Sequence, residues 1–188
     1  MSLLDAKEAR SLEGGPSFSL AHRIERAIWG IVWLILARWT PPPFHRWRVL
    51  LLNIFGAKVH SSTRIYGGTR IWYPRNLITH RNVTIGPRAN IYSMALIEIG
   101  EYSVISQGAY LCSGSHDICS PDFQLITGPI RIGSRVWIAA DAFVGPNVSI
   151  GDGAVIGART VLFRNAEPLA VYIGNPAVRI KFRKVRDS

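Results

Sequence analysis

The sequence predicts an all-β chain wound as a parallel β-helix of hexapeptide repeats, and three observations carry that prediction. From Ile132 to Leu162 an aliphatic residue recurs at every sixth position: Ile132, Ile138, Val144, Ile150, Ile156 and Leu162. Four residues after each stands a small or β-branched one: Val136, Ala142, Val148, Ala154, Thr160 and Ala166. Glycine follows the aliphatic residue at Gly133, Gly145, Gly151 and Gly157. A strict period of six fits neither a helix nor the two-residue alternation of an ordinary strand. It marks a repeat in which each unit is one side of a coil and three units close a turn.

In such a coil each aliphatic residue points into a narrow triangular core. The small residue four later lets the chain turn the corner, and glycine supplies backbone angles closed to other residues. Neighbouring coils pair as parallel strands about 4.8 Å apart. One coil cannot bury its own face, so stability requires stacking and a cap at each end. The beat starts weakly at Val59 and passes Ile65, Ile71 and Leu77. It slips by two near Val83, resumes at Ile85 and Ile91, slips again, and runs Ile99, Ile105, Leu111. The coil is thus expected over 58–170 with about five turns of eighteen residues. One long interruption, an extended loop at 112–129, holds His116 at its root, and loops projecting from a solenoid are where function tends to sit.

The two ends differ from the coil. Met1 to about Phe18 is polar, with Gly14, Gly15 and Pro16, and reads as a mobile arm. An apolar run from Ala27 to Ala37 follows, about 17 Å long as a helix and too short to span a bilayer. Pro41, Pro42 and Pro43 end it. A second helix is expected from Phe44 to Phe55, with Phe44, Trp47, Leu51 and Phe55 on one stripe and Arg46 and Arg48 off it. Residues 1–57 therefore form an N-terminal arm with short helices, which either pack on protein or make peripheral membrane contact through 27–55. In the membrane reading Trp29, Trp33 and Trp39 lie at headgroup depth. Residues 171–188 form a basic C-terminal cap or tail.

Composition narrows the partners. The 22 basic and 12 acidic residues give a net charge of +10, which favours phosphorylated small molecules, anionic membranes or nucleic acid. No nucleic-acid-binding motif accompanies the charge, so nucleic acid is not expected. Cys112 and Cys119 make neither a disulfide framework nor a metal pattern, and a reducing cytoplasm is the default compartment.

From about Val59 to Lys181 the chain resembles the left-handed β-helix, hexapeptide-repeat acyltransferases, and among them the colanic acid biosynthesis acetyltransferase family. The residues carrying this resemblance are LCSGSHD (Leu111 to Asp117), PIRIGSRVWIAADAFVGPNVSIGDGAVIGA (Pro129 to Ala158), GNPA (Gly174 to Ala177) and the N-terminal FGAK (Phe55 to Lys58). The resemblance implies a left-handed coil, a homotrimer with active sites between subunits, acetyl-CoA as donor, and a sugar or glycan acceptor in exopolysaccharide or cell-surface glycan biosynthesis. No metal is expected. Localisation would be cytoplasmic, or peripheral on the inner face of the cytoplasmic membrane.

Moving an acetyl group from a thioester to a hydroxyl needs a base for the hydroxyl proton and donors for the oxyanion. Imidazole suits the first task near neutral pH, and His116 matches the family's base. Asp117 is a candidate for orienting it. By the resemblance, Trp137 and Ala140 lie near the thioester and pantetheine arm, Ala158 offers its backbone to that arm, and Arg164 and Lys181 lie near the nucleotide phosphates. Val178 and Arg179 follow GNPA where relatives often place lysine. Three rivals remain: an acyl-cysteine route through Cys112 or Cys119, zinc chemistry on His60, His80 and His116, and a non-catalytic trimeric scaffold of a polysaccharide assembly complex.

Overall fold

The computed structural model describes residues 17–185, so the expected arm up to residue 16 and the last three residues of the expected tail lie outside the described residues. Two helices come first, α1 (Leu20–Leu36) and α2 (His45–Ile54). The chain then winds through three strands per turn. Turn one is β1 (Lys58–Val59), β2 (Arg64–Ile65) and β3 (Arg70–Ile71); turn two is β4 (Leu77–Thr79), β5 (Thr84–Ile85) and β6 (Asn90–Tyr92). Turn three is β7 (Ile97–Ile99), β8 (Val104–Ile105) and β9 (Tyr110–Cys112), after which a hairpin, β10 (Gly114–His116) and β11 (Leu125–Thr127), projects. Turn four is β12 (Ile130–Ile132), β13 (Trp137–Ile138) and β14 (Phe143–Val144); turn five is β15 (Ser149–Ile150), β16 (Val155–Ile156) and β17 (Val161–Leu162). A sixth turn begins where Ala166 bridges to Ile150 and continues into β18 (Ala170–Ile173). The antiparallel β19 (Val178–Phe182) then covers β18.

Stacking sorts these strands into three parallel sheets. The first runs β1-β4-β7-β12-β15, the second β2-β5-β8-β13-β16-β18 with β19 at its end, and the third β3-β6-β9-β14-β17. The inward row of the second sheet, Ile65, Ile85, Ile105, Ile138 and Ile156, is fully buried. The sequence expected about five turns, and the closing strands make the solenoid about six.

Two expectations about the repeat are corrected. The left-handed backbone angles at the corners fall three residues after the inward side chain, at Asn82, Arg88, Tyr102, Arg135, Asp141, Asn147, Arg159 and Leu169, with φ between 55° and 60°, and at Gly68, Gly108 and Gly153, with φ of 77°, 69° and 68°. Gly133, Gly145, Gly151 and Gly157 lie outside that region; they are glycine because the next coil is too close. A β-carbon on Gly145 would strike the Phe163 ring, and one on Gly151 would strike Pro168. The first slip of the beat also falls earlier than Val83. Thr79 fills the inward position of the first sheet, paired with Val59 and Ile99, so the two extra residues lie between Ile71 and Thr79. Threonine in an aliphatic slot hid the register.

The helices cap turn one, packing on protein as one of the two expectations had it, and the outward tryptophans of the membrane expectation are corrected. Trp29 and Trp33 are buried, and their indole N–H groups donate to the Ile71 carbonyl (2.7 Å) and the Thr69 carbonyl (2.8 Å). Of the three tryptophans placed at a headgroup depth, only Trp39 is exposed. In α2 the buried face is Arg48, Val49, Leu51 and Leu52, whereas Phe44 and Trp47 are exposed. Arg48 is wholly buried because carbonyls freed by the proline connection need donors. Its guanidinium donates to Ala37, Thr40, Pro41 and Ile65 carbonyls. Asn53 mimics a strand neighbour, its amide exchanging two 2.9 Å bonds with the Val59 backbone.

Candidate active site

The hairpin leaves the edge between the third and first sheets, with Gly114 opposite Thr127, Ser115 opposite Ile126 and His116 opposite Leu125. Its base is pinned to the coil. Gly128 N–H donates to the Ser113 carbonyl (2.9 Å), and Ser113 Oγ donates to the Tyr92 carbonyl (2.8 Å). Gly114 packs so closely on turn two that a β-carbon would strike Met94 Sδ.

His116 ends β10 and is exposed. Its Nδ1 lies 2.6 Å from the Phe123 carbonyl. A carbonyl can only accept, so Nδ1 carries the proton and the neutral ring keeps its lone pair on Nε2. Phe123 holds a left-handed φ of 47°, and its own N–H donates to the Ser120 carbonyl (3.0 Å). The Asp117 carboxylate accepts the Cys119 N–H (2.9 Å) and shapes the loop. Cys112 is buried with Sγ donating to the Gly114 carbonyl (3.3 Å), and Cys119 is exposed. Beside Cys112, burial first and then the thiol push the Tyr110 phenol up to about 12. His60 bonds Ser62 Oγ (2.9 Å), and His80 bonds Glu98 (3.0 Å). Neither is joined with His116 in a group of three possible metal ligands among the described residues.

The other predicted residues lie mostly elsewhere on the coil. Trp137 is half exposed on the second sheet, where its indole N–H donates to Ser106 Oγ (3.0 Å). Register carries one outer row from Trp137 through Val155 and Val171 to Lys181. Ala140 and Ala158 each follow by two residues the paired Ile138 and Ile156, so they occupy equivalent places on the edge between the second and third sheets. The Ala140 carbonyl is engaged by Arg159 N–H (2.9 Å). Arg164 stands apart, on the third-to-first edge of turn five, beside a cavity of about 420 Å³ lined also by Phe163, Tyr172 and Pro176. Trp137, Lys181, Ala140 and Ala158 therefore share one side of the coil. His116 springs from the edge opposite the second sheet, so a single chain does not bring the imidazole to the Trp137 row.

Sequence reading missed the Phe123 carbonyl, which has no side-chain signature, and an aromatic ladder on the third sheet. Trp72, Tyr92, Tyr110, Phe143 and Phe163 follow one another at ring distances of 5.3–6.2 Å. The twenty-residue spacing of Trp72 and Tyr92, matching one early turn, was the available signal.

Comparison with known proteins agrees with this architecture. Residues 129–164 match the bacterial transferase hexapeptide (six repeats) family. Over 166 residues the chain is 41% identical to a protein of Escherichia coli (strain K12) named colanic acid biosynthesis acetyltransferase WcaF, covering 88% of this chain and 91% of that one. A hexapeptide-repeat acetyltransferase of Vibrio cholerae, VCA0836, solved with acetyl coenzyme A, superposes with a TM-score of 0.81 at 19% identity over 98% of this chain and 97% of that one. A galactoside acetyltransferase in complex with coenzyme A gives 0.80 at 22% identity over 89% and 85%. A coil with an inserted histidine hairpin, matched along nearly its whole length by such a relative, belongs to the hexapeptide-repeat acetyltransferases, within the colanic acid biosynthesis acetyltransferase family.

Proposed function

We propose that this acetyltransferase moves an acetyl group from acetyl-CoA to a sugar hydroxyl during exopolysaccharide or cell-surface glycan biosynthesis, with His116 as general base. The observation that carries the assignment is the Nδ1 contact with the Phe123 carbonyl. It leaves Nε2 as the proton acceptor and steadies the imidazolium once the proton has moved. The acceptor hydroxyl loses its proton to Nε2 as its oxygen bonds to the thioester carbon. The tetrahedral intermediate collapses by breaking the C–S bond, and the imidazolium returns the proton to the departing thiolate. A backbone N–H facing the thioester would stabilise the oxyanion. Asp117 serves the loop in this scheme, and the buried, carbonyl-directed Cys112 favours direct attack over an acyl-cysteine.

The opposed placement of His116 and the Trp137 row supports a homotrimer in which one copy supplies the imidazole and its neighbour the donor wall. On that wall Trp137, Ala140 and Ala158 would line the pantetheine arm, with Lys181 and Arg164 near the phosphates. Peripheral contact of the helices with the inner face of the cytoplasmic membrane belongs to the same reading. Acetyl-CoA turnover across a panel of sugar acceptors, followed by thiol release and product mass, tests it. Turnover that disappears in His116→Ala is expected; no turnover with any acceptor would favour the non-catalytic scaffold.

A further inference from the structure

Helix α1 has two apolar faces, and the coil uses only one. His22, Trp29 and Trp33 face inward, tied by the two indole bonds to turn one. On the other side Leu20, Ile24, Ile28, Ile31 and Ile35 follow one another at four- and three-residue steps, each at least half exposed. The surface continues through Leu36 and Trp39, and across to α2, where Trp47 donates its indole N–H to the Leu36 carbonyl (2.8 Å) and Leu50 and Ile54 are exposed. Exposed apolar residues gathered on one face, rather than scattered singly, mark a site of interaction.

The charges around that surface select its occupant. From Leu20 to Lys58 the exposed charged side chains are Arg23, Arg38, Arg46 and Lys58, all cationic. The single acid of the segment, Glu25, is turned to Arg75 Nε (2.6 Å) and the Tyr73 hydroxyl (2.9 Å). Such a fringe offers a second copy of itself only like charge, whereas it complements an anionic lipid surface. Among the described residues no helix is long and apolar enough to cross a membrane. The indole tethers also keep α1 on the coil, so its free face can lie only in the plane of an interface.

We infer that the isoleucine face of α1, opposite the tryptophan face, seats the protein on an anionic bilayer surface. The inference rests on the peripheral-contact part of the proposed function and puts Ile24, Ile28, Ile31 and Ile35 in place of the tryptophan anchors expected from sequence.

Flotation of the full chain with phosphatidylcholine vesicles, with and without phosphatidylglycerol, is the test. Wild type is expected to float with the anionic vesicles and to be released by added salt. Ile24→Gln/Ile28→Gln/Ile31→Gln should lower partitioning at least about tenfold. Arg23→Gln/Arg38→Gln/Arg46→Gln should abolish the preference for phosphatidylglycerol. All these positions are exposed, so circular dichroism and thermal unfolding should stay as in wild type, as should turnover of a water-soluble acceptor. Wild type that stays with the lipid-free fraction overturns the inference. So does an isoleucine variant that floats normally but sediments as a smaller oligomer, since the face would then join copies of the chain. Flotation without acetyl transfer would instead sink the catalytic reading and leave this one standing.

Discussion

The edge between the third and first sheets is built in two ways along the same coil. Early in the chain eight positions separate the paired inward residues across it, Ile71 to Thr79 and Ile91 to Ile99. Late in the chain only six separate Val144 from Ile150. The wide edge holds a second buried aliphatic row, Leu77, Ile97 and Ile130, and a set of buried polar side chains that serve irregular backbone. Asn76 Nδ2 donates to the Ser93 and Met94 carbonyls (3.0 and 2.9 Å), Ser93 Oγ to the Tyr73 carbonyl (2.9 Å), and Ser113 Oγ to the Tyr92 carbonyl (2.8 Å). The narrow edge has no residue to spare and relies on glycine where coils nearly touch. A chain can leave and re-enter where side chains satisfy backbone groups that strands would otherwise pair. The His116 hairpin emerges from the wide edge and returns to it at Ile130.

That contrast can be broken at several points. The largest effect is on chemistry: His116→Ala should lower acetyl transfer by about a hundredfold or more, with thermal unfolding unchanged because the side chain is exposed. At the wide edge, Asn76→Ala strands two buried carbonyls and should cost about 2 kcal/mol in urea unfolding. At the narrow edge, Gly145→Ala forces a methyl group against the Phe163 ring and should cost about 1–2 kcal/mol. Asn76→Ala should in addition expose the hairpin to limited proteolysis, and Gly145→Ala should not; equal cleavage would erase the distinction between the edges.

The smallest effect concerns the cap on the wide-edged end. His22 is buried against Phe18, Trp72 and Tyr73, and burial, then Arg26, holds its imidazole below the ordinary range. The unfolded chain therefore takes up this proton first as pH falls. Stability owed to the neutral ring is complete above about pH 6.5 and declines below it towards the folded value. Thermal unfolding across that window should show a decline that His22→Phe flattens.

The narrow-edged half was legible almost residue by residue, because one aliphatic side chain per side leaves a strict period. The hairpin was legible as a gap in it. The wide-edged half was blurred where Thr79 stands in an aliphatic slot, its hydroxyl 2.8 Å from that of Thr63. Arg48 read as a surface residue because its partners are carbonyls, which any sequence possesses. The same reason hid Phe123 behind His116. Trp29 and Trp33 were recognised as unusual yet left two facings open, of which the membrane one is overturned, since periodicity gives a helix two apolar sides and only packing chooses between them.

The central claim is that imidazole and donor wall come from different copies of the chain. Hybrid oligomers of His116→Ala and Ala158→Arg, coexpressed with separate tags and purified through both, test it most directly. Each parent alone should be inactive in acetyl-CoA turnover, the first lacking the base and the second a clear pantetheine path. Hybrids should regain turnover, because some sites would pair an intact His116 with an intact Ala158 from a neighbour. Hybrids as inactive as their parents would contradict the account and confine the site to a single chain.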